Sequence, residues 1–367
     1  MNDVLKDLLR WFDRHRETEK VLQINKLYRL ATSDIVTEYC LGESTNFLKM
    51  DDYNSSYLDA IDTSFEMVHW MTHIAWLGPV VEIVPLRLLA FLLPRLEPLR
   101  KVYLKWEQQV EKLRSAGNLQ SSKPIVLHGL LNSGLPPSEK SISRLRQETR
   151  VLVLAGQDST ASTLSAITFQ LLSNPEKLSK LKEELAAAIP DPESFPPCSQ
   201  IETLPYLTAV IKEGLRLHPG AVLRMQRVSP EKPLIYRDTK RCITWTIPPG
   251  TPVSMTSLLI HKNSEIFPNP EAFQPERWLA NQRLDRYMLA FSKGTRMCLG
   301  VNLAYQELYI FLAGIFRRYD LYRESEKNTG PTLALYETVR ETDVDAVAEM
   351  VVAAPALGSK GTQIIVR

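Results

Sequence analysis

This chain has no long uninterrupted hydrophobic run, no pair of cysteines at metal-ligand spacing, and no excess of either charge. Each lack excludes a class. Four cysteines in 367 residues, with no C-x-x-C, rule out a disulfide scaffold and a zinc ribbon, so any cysteine that matters acts alone. The 44 Lys+Arg against 42 Asp+Glu leave no general attraction to nucleic acid, and any basic patch must be local. The opening MNDVLKDLLRWFDRHRETEK is charged from its second turn, so it reads as neither signal peptide nor anchor. The most apolar stretch, Ala75 to Pro94, has the length of a bilayer span, but Pro79, Glu82, Pro85 and Arg87 interrupt it. It predicts a buried or interfacial hairpin tip, not a transmembrane helix. Internal repeats and low-complexity tracts are also absent.

What is present reads mostly as helix. Residues 1 to about 175 carry apolar residues at helical spacing, as in Val4, Leu5, Leu8, Leu9 and Phe12. A Ser-, Pro- and Gly-rich loop is expected from Ser121 to Ser138. A long helix then runs over about 141–172, roughly 48 Å, enough to cross a whole domain. Pro175 opens a shorter helix, and Pro205 to Leu217 makes another, ended by His218-Pro219-Gly220. PLIY, CITWTI and TPVSMTSLLI follow as short β-like runs around the turn Pro248-Pro249-Gly250. After an irregular Pro-rich stretch from Phe267 to Trp278, a last apolar helix spans about Leu299 to Arg317, and GTQIIVR closes as a strand. The fold class is mainly α with a minor β part.

Three segments carry chemistry. In the loop 291–300, FSKGTRMCLG, Gly294 and Gly300 allow a tight turn and close approach of a flat ligand. Arg296 supplies positive charge for a carboxylate. Cys298 lies where a helix begins, and free amides there favour a thiolate, which suits a soft metal. In the helix before His218, Glu213 and Arg216 stand at ion-pair spacing. The same spacing recurs at Glu97/Arg100, Glu111/Arg114 and Glu337/Arg340, so alone it says little. In the long helix, Leu152, Ala155, Gly156, Ser159 and Thr163 share one face. That face suits either a flat ring or close helix packing. A hydroxyl at Ser159 can bond the carbonyl of Ala155 and bend the helix.

F-x-x-G-x-R-x-C-x-G resembles the haem-binding loop of cytochrome P-450 proteins at all five defining positions: Phe291, Gly294, Arg296, Cys298 and Gly300. Five fixed residues would match by chance on the order of once in ten thousand such sequences. The resemblance implies the family's fold, cut short at its amino end, as a single catalytic domain over 1–367. It implies haem b with Cys298 as axial thiolate ligand to iron. It implies a structural triad of Glu213, Arg216 and Arg277, the last in PERW. Ala155-Gly156-Gln157-Asp158-Ser159-Thr160 resembles the oxygen-binding segment, with Ser159 where threonine is usual. Asp158 is then the acid of a proton relay, Ser159 its alcohol, and Thr160 a substitute alcohol. Arg227 is implied to bind a haem propionate, and His218 reads as a helix-end histidine. Val151, Leu154, Val222, Leu223 and the tip at Ala354 to Leu357 are implied to line the substrate pocket.

The implied activity is a haem-dependent monooxygenase inserting one atom of O2 into a small apolar substrate. Electrons would come from NADPH through a flavoprotein reductase, docked where Lys293, Arg317 and Arg318 supply positive charge. Family members are usually anchored in the endoplasmic-reticulum membrane; no N-terminal anchor is read here, and peripheral contact would fall to 75–94. YETVRETDVDAV and SKGTQIIVR resemble filamentous-fungal secondary-metabolism members, the trichodiene-oxygenase-like group, which suggests a terpenoid substrate. Two rival readings stand beside this one. One is a non-catalytic remnant that holds haem poorly; the other is a haem-thiolate isomerase or dehydratase, which would not depend on NADPH.

Overall fold

A computed structural model describes residues 1–50, 52–74, 76–115, 124–324 and 330–367. Helices α1 (Asn2–Thr18), α2 (Ile24–Leu41) and α3 (Ser55–His73) lead into two short ones, α4 (Leu77–Ile83) and α5 (Leu86–Leu92). Next come α6 (Glu97–Ser115), α7 (Val126–Asn132) and the long α8 (Ile142–Leu172). Ser141 caps α8, its hydroxyl accepting from the Arg144 amide at 3.4 Å. Then follow α9 (Pro175–Ala188), α10 (Cys198–Ile201), α11 (Pro205–Leu217), α12 (Ser257–His261), α13 (Glu276–Ala280) and α14 (Val301–Arg318).

The strands are minor. β1 (Leu22–Gln23), β10 (Gln363–Val366), β7 (Thr332–Leu335) and β6 (Asp320–Leu321) form one sheet in that order. The pairs β2 (Arg227–Val228) with β5 (Pro252–Val253), β3 (Leu234–Asp238) with β4 (Ile243–Ile247), and β8 (Ala348–Met350) with β9 (Val352–Ala354) are antiparallel ribbons. Ile235, Tyr236 and Trp245 of the β3–β4 ribbon are exposed.

α8 runs through the core and packs most closely on α2. Tyr28 and Thr168 share a hydroxyl–hydroxyl bond of 2.9 Å, and the Thr32 hydroxyl donates to the Gln157 carbonyl at 2.8 Å. α11 and α14 press on α8 from other sides. Gly214 lets α11 approach: a Cβ there would stand 2.2 Å from Ile167 Cγ1 of α8.

Two expectations fail locally. Of the expected loop 121–138, residues 121–123 lie outside the described residues, but Val126–Asn132 is helical. Its Leu127 is buried in the main core, so burial outweighs the flanking Ser and Pro. In TPVSMTSLLI only Pro252–Val253 is a strand, and Ser257–His261 turns helical, burying Ser257 and His261. Among the described residues no helix is long and apolar enough to cross a membrane.

The Gly214 contact makes a direct test. Gly214→Ala overpacks the α8–α11 contact and should cost about 1–3 kcal/mol in chemical denaturation. Adding Ile167→Ala should recover part of that loss by opening the space, which a double-mutant cycle reads.

Candidate active site

The Cys298 loop is closed by the Cys298 amide, which donates to the Phe291 carbonyl at 2.9 Å. A 3-10 turn spans Gly294–Arg296, with Gly294 at φ 76, where a side chain would be strained. The Phe291 ring packs on Tyr305 of α14 at 5.3 Å, anchoring the loop to that helix. Cys298 is exposed and precedes α14 by three residues, so the helix start with its free amides lies beside the thiol. A Cβ on Gly300 would stand 3.9 Å from Cys298 Sγ.

Beside this thiol the loop exposes apolar side chains and a cation. Leu299 is 83% exposed and Met297 49%. On α8, Val151 and Ala155 are exposed. Arg296 and Arg227 are exposed and make no ion pair among the described residues; Arg227 only donates to its neighbour Gln226 carbonyl at 2.9 Å. An exposed soft donor, apolar walls and unpaired guanidiniums are the donor set that a flat ring with two carboxylates and a soft metal requires. The residues fit haem.

Behind the loop, Glu213, Arg216 and Arg277 come together. Arg216 meets Glu213 through two bonds of 2.8 and 2.9 Å, and Arg277 Nε donates to Glu213 Oε1 at 3.1 Å. The Trp278 indole N–H adds a bond to Oε2 at 2.9 Å, and the Gln274 amide one to Oε1 at 2.9 Å. Arg216 and Arg277 spend their remaining donors on carbonyls of His261, Pro270, Ala272, Pro268 and Asn269. The other three Glu/Arg pairs of this spacing lack such a setting; Glu97 and Arg100, for example, meet near the surface.

The α8 candidates separate around the helix. The Ser159 hydroxyl donates to the Ala155 carbonyl at 2.7 Å, and Gly220 lies close against the Ser159 backbone. Asp158, one position earlier, is buried, with Oδ1 2.5 Å from Arg29 Nε. Arg29 in turn meets Asp62 of α3 through two bonds of 2.7 and 3.2 Å. Burial pushes the Asp158 carboxyl up and Arg29 opposes the shift. Burial works against the Arg29 charge, and Asp158 and Asp62 outweigh it. Asp158, Arg29, Asp62 and Ser162 line a cavity of about 530 Å³ with residues of the tip Ala354–Leu357.

Four expectations need correction. Gly156 packs toward α2, where a Cβ would meet Val36 Cγ2 at 2.8 Å, so its small size serves helix packing and not a ring. Thr160 is buried, as is Glu307 of α14, whose carboxyl burial raises well above the usual range, so Thr160 does not face the open side. Val151, Leu154, Val222 and Leu223 do not line the 530 Å³ cavity, which lies on the Asp158 side of α8. Arg317 and Arg318 stand at the far end of α14, roughly 25 Å from its start. Arg317 donates to the Ile189 and Pro190 carbonyls, and Arg318 pairs with Asp13 and Glu193. Only Lys293 of that proposed patch belongs to the loop.

Arg29 and Asp62 escaped the sequence reading. Arg29 hides within a helix that is otherwise almost wholly buried, and a charge inside such an apolar window was the available signal.

Replacing Glu213 by Gln leaves two arginines without their carboxylate and should cost about 3–5 kcal/mol in urea denaturation. Acid should destabilise the fold through two histidines. Burial, with Arg340, Lys262 and Arg216 nearby, lowers His218 to about 3, and burial with Arg216 lowers His261 to about 4. The unfolded chain takes up protons near the ordinary 6.5 that the fold refuses, so stability is full above about pH 6.5 and falls as pH drops toward 4. Urea midpoints across pH 4–7 read this slope, and His261→Gln should flatten it.

Residues 1–339 match the family Cytochrome P450. A cytochrome P450 monooxygenase, tpcC of Cochliobolus heterostrophus, is 39% identical over 96% of this chain and 68% of its own length. The tryptophan 6-hydroxylase fscE of Fusarium equiseti is 34% identical over 99% and 69%. The N-acetyltryptophan 6-hydroxylase ivoC of Emericella nidulans is 38% identical over 79% and 57%. The chain thus spans about two thirds of the length of the first of these relatives. These relatives are named as a monooxygenase and two hydroxylases, and the family they share uses haem b with a cysteine thiolate and electrons from a redox partner. They favour the oxidoreductase reading over the remnant. The chain belongs to the cytochrome P450 family.

Proposed function

We propose that residues 1–367 act as one catalytic unit in which Cys298 is the axial thiolate of haem b and an apolar fungal metabolite is oxidised. The observation that carries this is an exposed thiol on the motif loop, leading into α14, which packs on the helix that carries Asp158 and Ser159. When bound, the haem supplies activation of O2 for transfer of one oxygen atom to substrate. Arg296 and Arg227 neutralise its two carboxylates. Leu299, Met297, Val151 and Ala155 exclude water from its faces. Asp158 holds the proton at its carboxylate, fed from the 530 Å³ cavity, and passes it with ordered water to the Ser159 side. Arg29 sets how readily Asp158 gives that proton up.

The redox partner docks on the cysteine side, where Lys293, Arg283 and Arg286 are exposed and cationic. An NADPH-fed flavoprotein suits this surface. Peripheral membrane contact falls to the segment around α4 and α5, where Trp76, Ile83, Phe91 and Leu92 are 67%, 81%, 79% and 63% exposed. A second substrate class, an aromatic amino-acid derivative, is favoured by the names of the fscE and ivoC relatives.

Reduced, haem-loaded protein under carbon monoxide should show a strongly red-shifted Soret band, and Cys298→Ala should abolish it. An unchanged band in that variant sinks the ligand assignment. Asp158→Asn should keep the band and lower turnover on the order of 10²-fold, with a larger solvent isotope effect.

A further inference from the structure

Away from the cysteine loop, α3 ends in His69-Trp70-Met71-Thr72-His73. The two histidines are four residues apart, so they share one face of the helix, and their rings lie 4.6 Å apart. Strand β8 packs on α3 and brings Glu349 to the same place. One donor atom from each of His69, His73 and Glu349 lies within 4.8 Å of the other two. A first-row ion with bonds of about 2.0–2.2 Å needs donors roughly 3.3 Å apart, so a small inward rotation of side chains closes the shell.

The polar accounting points the same way. His69 Nδ1 and Glu349 Oε1 are both buried without a hydrogen-bond partner. A buried nitrogen and a buried carboxylate oxygen left unpaired at one spot are groups that a cation satisfies together. His73 is exposed and opens the site to solvent. Two imidazoles and one carboxylate, with a fourth position toward water, are a zinc-type donor set.

We propose that His69, His73 and Glu349 bind one Zn²⁺ that clamps the end of α3 to the β8–β9 ribbon. The placement gives the clamp a consequence. Phe65 and Glu66 of α3, and Ala348 and Met350 of β8, line the 530 Å³ cavity. Glu349 alternates with its two neighbours on the strand, so it faces away from that cavity. The ion therefore sits behind the cavity wall and crosslinks the two elements that form it. It also fixes the end of α3 from which the exposed apolar segment at α4 departs.

The test uses the untagged, haem-loaded full chain, stripped of loose metal by a chelator and dialysed against micromolar Zn²⁺. One zinc per chain is expected, with an X-ray absorption spectrum showing two imidazoles, oxygen and no sulfur. His73→Ala should weaken binding more than 10-fold and Glu349→Gln about 10-fold. Both variants should keep the wild-type circular dichroism, because His73 is exposed and Gln keeps the shape of Glu349. Zinc should slow amide exchange in residues 66–73 and 348–350 of the wild type only. No stoichiometric zinc, a sulfur ligand in the spectrum, or equal binding by His69→Ala/His73→Ala would each overturn the site.

Discussion

Two guanidiniums, an indole N–H and a backbone amide converge on the Glu213 carboxylate in a place that water does not reach. A buried charge of this kind is tolerable only when every lone pair is engaged, and here each oxygen has a donor. The arginines in turn hold five carbonyls of the irregular stretch between His261 and Ala272. That stretch has little regular structure to satisfy its own backbone. Without the triad these five carbonyls would lose the donors that tie the stretch to α11 and α13, and the His261 ring, which accepts from the Leu289 amide at 2.9 Å, would lose its place. Leu289 is two residues before Phe291. The chain of dependence therefore runs from one carboxylate to the cysteine loop.

What was legible in the sequence follows from this. The helices α8, α9, α11 and α14 were readable to within a residue or two, because long amphipathic periods and Pro or Ser at their starts are local signals. The triad was readable only through the motif, since ion-pair spacing alone does not tell Glu213 from Glu97. The Val126–Asn132 helix and the Ser257–His261 helix were not, because tertiary burial decides short segments. The ribbon β8–β9 was equally hidden: three-residue strands joined through Val351 at φ 71 have no pattern to detect.

Within the site the loop residues were legible and the packing was not. Phe291, Gly294, Arg296, Cys298 and Gly300 are fixed by what a loop must offer to a flat ligand. Gly156 belongs to the same run of small residues as Ala155, yet its neighbour Val36 lies far away in sequence. Arg29 shows the same limit. It meets Asp158 across an α2–α8 contact that no local spacing encodes.

The helical period gives the proposed relay its form. Asp158 and Ser159 stand about 100° apart around α8, so they cannot face one chamber equally. Asp158 looks to the cavity shared with Arg29 and Asp62, while Ser159 turns its hydroxyl back onto the Ala155 carbonyl toward the open side. A proton entering from the cavity must therefore pass around the helix, and water is the natural carrier. Arg29 is the control point on that route, because it is ion-paired both with Asp158 and with the partly exposed Asp62. A shift of Arg29 toward Asp62 removes the charge that holds Asp158 ionised, and burial then favours its protonated form. Asp62 lies on α3, the helix whose far end carries His69 and His73. Whatever fixes that helix against the ribbon also fixes the distance from Asp62 to Arg29. The roof of the cavity and the acidity of Asp158 are in this way set by the same element.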